Sequence, residues 1–334
     1  MEEKFEPNSH PLLTVKRLRT EFRLRNSKAL RAVDGVDITI MPGEVHGLVG
    51  ESGCGKTVTS LSILRLILPP GFITGGEVLW NGLDLLKLKK NEMRKVRGKE
   101  IAMIFQNPQA SLNPLYNIGD QMAAIMRLHR GMSQKEAHQE ALKLLHTVRI
   151  SDPENRINDY PHQLSGGMCQ RVMIAMALSC YPRLLIADEP TAALDVTIQA
   201  QILELLLELR KQFRMAILWI SHDMGVVARM CGRISVMYLG KIVEESTAEE
   251  LYSNPMHPYT QALLKAVPVP NPKMKVEFSS IKGDLPSSIN IPSGCRFRTR
   301  CPEVFEPCIK EPELKTINKN GTKVACWLYL KDEN

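Results

Sequence analysis

Short apolar runs alternate with helical periodicity over the first three quarters of the chain. The segments Glu44 to Val49, Ile101 to Phe105, Leu184 to Ala187, Ala216 to Ile220 and Ile234 to Met237 are apolar almost throughout, as strands buried on both faces are. Helical patterns separate them, so the expected class is α/β, a parallel sheet covered by helices. Between Ile118 and Val148 the apolar residues recur at spacings of three and four, which predicts two consecutive helices in an inserted helical subdomain spanning about 107–180. Leu12 to Ile40 alternates in the manner of strands and is expected to form an N-terminal antiparallel β layer beside the main sheet. After Ser253 the pattern breaks down. Of the 21 prolines, 10 fall between Pro255 and Pro312, where long regular elements cannot run. The chain therefore divides into a body, 1–253, and an irregular C-terminal extension, 254–334, with little helix after Val267.

Composition narrows this picture. A length of 334 residues suits about two domains at roughly 150 residues each. With 44% hydrophobic and 24% charged residues, the chain is neither disordered, collagen-like nor a coiled-coil rod. Its longest apolar stretch, Leu61 to Leu68, is interrupted by Ser62 and Arg65 and falls short of the ~18 residues a membrane span needs. The acidic start, Met1 to Asn8, lacks the zones of a secretory signal, so an intracellular location is expected. The net charge of +7 includes a basic stretch from Lys16 to Arg31, read either as the solvated face of a hairpin or as a surface for anions. Intracellular cysteines are expected to be thiols or metal ligands. Of the eight, Cys295, Cys301, Cys308 and Cys326 crowd into the last 40 residues.

Gly50-Glu51-Ser52-Gly53-Cys54-Gly55-Lys56-Thr57 follows the strand ending Leu48-Val49 and precedes the helical pattern Val58 to Leu66. This is the G-x-x-x-x-G-K-[ST] phosphate loop in its required strand-loop-helix setting. Its glycines permit backbone conformations in which successive N–H groups point at phosphate oxygens beside a helix N-terminus. Lys56 adds a point charge for the β- and γ-phosphates, and the Thr57 hydroxyl is placed to ligate Mg²⁺. Cys54 is expected to be a small filler. Leu184 to Ala187 runs into Asp188-Glu189, and paired acids after such a strand are too costly to be core. Asp188 would hold Mg²⁺ and Glu189 would act as general base toward the attacking water.

Leu164-Ser165-Gly166-Gly167-Met168 opens a helical run to Ser179, offering a hydroxyl and bare N–H groups to a second anion. Here the chain resembles the ABC-type ATPases, whose signature is LSGGQ or LSGGM. The resemblance covers about Thr14 to Val243 and implies the P-loop nucleotide-binding fold of that family. It implies that Gln106 senses Mg²⁺ and the γ-phosphate, that Asp195 couples two active sites, and that His222 contacts the γ-phosphate in the transition state. It also implies that Phe22 stacks on adenine, although a strand phenylalanine is as often core. In that family two cassettes pack head to tail, with each ATP between the phosphate loop of one and the Ser-Gly-Gly of the other.

Repair-type ABC ATPases insert a very long coiled coil between loop and signature, and ribosome types usually carry two cassettes; neither holds here. Gly50 to Gly53, Gln106-Asn107-Pro108, Glu189 to Gln201, Asn254 to Thr260 and Gly294 to Phe297 resemble the oligopeptide/dipeptide-permease ATPases, closest to the dipeptide type. Cys169 stands where arginine is usual in that branch, and Ala192 where threonine is common. The resemblance implies an ATP-hydrolysing subunit at the cytoplasmic face of the membrane, peripheral to two membrane-spanning permease subunits. A second ATPase chain, the same or a related one, would complete it, and an extracytoplasmic peptide-binding protein would act indirectly. The stretch Asn107 to Leu115 would form part of the groove that receives a partner's coupling helix. No nucleic acid is expected, though a nucleic-acid-associated ABC ATPase is the alternative from another class, and related importers carry nickel or other solutes. The spacing C-x5-C-x6-C-x17-C of Cys295, Cys301, Cys308 and Cys326 leaves a four-iron cluster and zinc both open. The resemblance favours a [4Fe–4S] cluster, whose charge Arg296, Arg298 and Arg300 would offset.

Overall fold

The computed structural model describes residues 10–24, 29–192, 194–266, 283 and 285–330. The chain folds as two compact units, 1–86 with 219–334 and 87–218.

In the first unit β1 (Leu13–Arg23), β2 (Ala29–Ile40), β3 (Val45–Val49), α1 (Lys56–Ile63), β4 (Gly71–Trp80) and β5 (Leu83–Asp84) come first in the chain. The order β2-β1-β4-β5 makes the antiparallel layer expected from Leu12 to Ile40, with β1 paired to both β2 and β4. Its alternation is a burial pattern: Leu13, Val15, Leu18, Val33, Val36, Ile38 and Ile40 turn inward and are almost completely buried. Two basic residues of this layer turn outward to acids, Arg19 to Asp34 and Arg31 to Glu21. Arg25 and Lys28 of that stretch lie outside the described residues.

The second unit holds α2 (Lys90–Val96), β6 (Ile101–Ile104), α3 (Pro108–Ser111), α4 (Ile118–Arg130), α5 (Gln134–Thr147), α6 (Pro153–Arg156), α7 (Gly166–Leu178), β7 (Leu184–Asp188) and α8 (Val196–Phe213). β6 and β7 pair in parallel. The two helices expected between Ile118 and Val148 are α4 and α5. Asn117 caps the first, accepting from the Asp120 N–H at 2.7 Å, and Ser133 with Glu136 forms a capping box on the second.

β8 (Ala216–Ser221) returns the chain to the first unit, followed by α9 (Met224–Met230), β9 (Arg233–Tyr238), β10 (Lys241–Thr247), α10 (Ala248–Ser253), α11 (Pro258–Lys265), β11 (Lys315–Thr316) and β12 (Lys323–Val324). β9 pairs in parallel with β3 and antiparallel with β10. The C-terminal extension is less irregular than its prolines suggest. β12 adds to the edge of β10, with Glu244 opposite Val324 and Glu245 opposite Lys323, and β11 adds to β12. The Lys323 ammonium meets the buried Glu245 carboxylate at 2.9 Å. Among the described residues no helix is long and apolar enough to cross a membrane.

Candidate functional site

The phosphate loop leaves β3, fully buried along its length, and enters α1. Gly50 has φ 154° and Gly55 φ 115°, backbone that side-chain-bearing residues rarely adopt. A Cβ on Gly50 would lie 2.2 Å from the Met237 carbonyl oxygen, and one on Gly55 2.2 Å from that of Ala32. Both positions thus exclude every side chain on two grounds, strain and space. Lys56 is nearly buried, and its Nζ donates to the Gly50 carbonyl at 2.7 Å and the Glu51 carbonyl at 3.0 Å, so the ammonium lies within the loop's curve. Ser52, Gly53 and Thr57 are exposed at its rim. Cys54 is buried, and burial pushes its thiol up, as suits a filler rather than a nucleophile.

In the second unit β7 delivers Asp188, 2% exposed, at its C-terminal end. Glu189 follows with φ 45°, a left-handed conformation that turns the chain sharply out of the strand. Gln106, just beyond β6, donates from Nε2 to Glu189 Oε2 at 2.8 Å. The parallel pairing of β6 with β7 is what brings together two residues 83 positions apart. Ser165 caps α7, its Oγ accepting from the Met168 N–H at 3.3 Å, and nothing crowds Gly166. Gly167 is tighter: a Cβ there would lie 3.1 Å from Ile198. Asp195 caps α8, accepting from the Ile198 N–H at 3.0 Å. Cys169 is buried and its Sγ contacts the Pro161 carbonyl at 3.5 Å.

His222 is exposed just after β8, in the same unit as the phosphate loop. Phe22 pairs with Gly71 across β1 and β4, its ring resting where a Gly71 side chain would stand.

The cluster and the zinc site expected in the tail are not there. Cys295, Cys301, Cys308 and Cys326 are free thiols, and among the described residues no three His, Cys, Asp or Glu side chains are placed to hold a metal ion. Burial pushes Cys295 up to about 11 and Cys326 up to about 12, and raises Cys301 as well. The three arginines have other partners. Arg296 bonds the Asp34 carboxylate and the Leu239 carbonyl, and Arg298 donates to the Ser293 carbonyl at 2.6 Å. Arg300 grips Glu51 of the phosphate loop with both terminal nitrogens, at 2.7 and 3.0 Å.

That last contact is a feature sequence reasoning missed. So is the hydroxyl of Tyr259, which accepts the Glu51 N–H at 2.8 Å. The tail is fastened here by aromatic packing: Phe297, 1% exposed, meets Tyr238 at 5.3 Å and Tyr259 at 5.4 Å between ring centres.

Comparison with known proteins agrees with this geometry. Residues 33–192 match the ABC transporter family model, and residues 243–308 match that of the oligopeptide/dipeptide transporter C-terminal region. The chain is 48% identical to the oligopeptide transport ATP-binding protein AppD of Bacillus subtilis, covering 95% of this chain and 97% of that protein. It is 46% identical to the dipeptide transport ATP-binding protein DppD of Escherichia coli, covering 96% and 98% respectively. Among solved structures, the dimeric bacterial ABC transporter cassette MJ0796 superposes with a TM-score of 0.64 at 30% identity, covering 71% of this chain and 98% of that one. From the glycine-specific phosphate loop, the acid pair after β7 and relatives matched over nearly their whole length, the chain belongs to the ABC transporter ATP-binding proteins of the oligopeptide/dipeptide branch.

Proposed function

We propose that the chain hydrolyses ATP to power import of di- or oligopeptides, as a peripheral subunit on the cytoplasmic face of the membrane. The observation that carries this reading is the phosphate loop, whose backbone leaves no space for side chains at Gly50 and Gly55 and whose Gly50 and Glu51 carbonyls hold the Lys56 ammonium. A triphosphate is the anion such a loop and lysine suit. Thr57 and Asp188 offer the hydroxyl and carboxylate oxygens a hard cation takes, and bound Mg²⁺ would supply neutralising charge to the phosphates. Glu189, steered by Gln106, accepts the proton of the attacking water. His222 bonds the γ-phosphate as charge builds on it, and Phe22 offers the face on which adenine stacks.

The Ser165 cap and the uncrowded Gly166 suit an anion presented from outside the chain, a second cassette's γ-phosphate. Asp195 then links the two sites. Two membrane-spanning permease subunits receive the resulting motion, and an extracytoplasmic peptide-binding protein delivers the solute. The peptide assignment is supported by relatives named for oligopeptide and dipeptide transport at 46–48% identity. Reconstitution of the chain with its permease subunits in proteoliposomes tests it. Hydrolysis of ATP should rise several-fold when peptide-loaded binding protein is enclosed, and stimulation by nickel but not by peptide would refute the solute assignment.

A further inference from the structure

The phosphate loop carries an acid. Glu51 follows the first glycine of the motif, and a carboxylate there repels the triphosphate that the loop is built to hold. Its neighbours within the first unit oppose that. The Arg300 guanidinium, its side chain 6% exposed, meets both Glu51 carboxylate oxygens in the forked geometry that gives the strongest charge-assisted pairs. The same guanidinium donates to the Gly283 carbonyl at 2.9 Å and lies 6.0 Å from the centre of the Tyr238 ring, contacts that fix where its charge sits. From the other side the Tyr259 hydroxyl, on a residue with no exposure, takes the Glu51 N–H. One loop residue is therefore held at its main chain by α11 and at its side chain by the tail, 249 positions away.

We propose that Arg300 is a positioning residue for nucleotide binding: it masks the Glu51 charge and holds that carboxylate away from the phosphates, so that the C-terminal extension completes the phosphate site. This rests on the loop's binding a nucleotide triphosphate.

Titration of the full-length chain with a fluorescent ATP analogue tests it. Arg300→Met should weaken binding about tenfold, the order of effect of an unmasked unit charge close to the ligand. Glu51→Gln alone should bind at least as well as the unaltered protein, and Glu51→Gln with Arg300→Met should recover to within about threefold of it, since the repulsion is gone. Raising the salt should shrink the Arg300→Met defect.

Should Arg300→Met fail to fold, Arg300→Lys, which keeps the charge without the fork, should bind with an intermediate affinity. Unchanged or tighter binding by whichever Arg300 single variant folds would overturn the proposal, and so would a double variant no better than Arg300→Met. Lys56→Ala serves as the control on the underlying reading: if it still binds ATP fully, the loop is not the nucleotide site and the failure lies there.

Discussion

The phosphate loop and the cysteine tail belong to the same compact unit, yet they encode function in opposite ways. In the loop eight consecutive residues specify the site, because the work is done by main-chain conformation that glycine alone permits at Gly50 and Gly55. In the tail the chemistry of the cysteines is not a property of their spacing. Four thiols spread over 32 positions do not by their spacing choose between a metal site and free thiols. Among the described residues of the tail, Arg300 grips Glu51 and Phe297 anchors the segment among Tyr238 and Tyr259. Local motifs report what a segment can do by itself; long-range partners decide what it does in the fold.

The contrast can be sharpened first at Gly50. Gly50→Ala sets a Cβ against a main-chain oxygen at 2.2 Å that no rotamer change relieves, so the loop must move. ATP affinity is expected to fall by more than about a hundredfold, the consequence of dismantling several phosphate contacts together. Retained affinity in equilibrium binding would show that the loop tolerates what its geometry forbids. The tenfold effect expected for Arg300→Met is the next in size and probes the tail's share of the same site.

A smaller effect concerns how the tail's approach is held. His257 begins that segment: it caps α11, its Nδ1 accepting from the Tyr259 N–H at 3.0 Å, and its ring lies 5.8 Å from Phe297. Complete burial holds its imidazole at about 3, well below the usual 6.5. The unfolded chain therefore takes up a proton that the folded chain refuses. The contribution to stability is full above pH 6.5 and declines as pH falls toward 3. Between pH 7 and 5 the loss is about 2 kcal/mol. His257→Asn keeps a capping acceptor without the titration, so its urea midpoint should shift less with acid than that of the unaltered protein. Parallel shifts in the two proteins would show that His257 is not held neutral.

Much of the fold was legible because its signals are periodic. The five apolar runs are strands, Ile118 to Val148 is the helix pair α4 and α5, and the N-terminal alternation is the β2-β1-β4-β5 layer. Gln106 and Glu189 were each read as site residues, but the hydrogen bond between them was not foreseen; it follows from the parallel pairing of β6 and β7. The short strands β11 and β12 were hidden, since two residues each leave no period to read, and their pairing depends on the edge of β10. Arg300 was hidden more deeply. Its neighbours Arg298 and Cys301 suggested a local role in charge balance, whereas its partner lies at the far end of the sequence.

Glu189→Gln tests the central claim, ATP hydrolysis driven by this chain's own carboxylate, most directly. The amide keeps the shape of the side chain but cannot accept the water's proton. In the reconstituted transporter, phosphate release should fall at least a hundredfold while ATP stays bound with unaltered affinity. Turnover persisting near the unaltered rate would contradict the account, because some other group would then be activating the water.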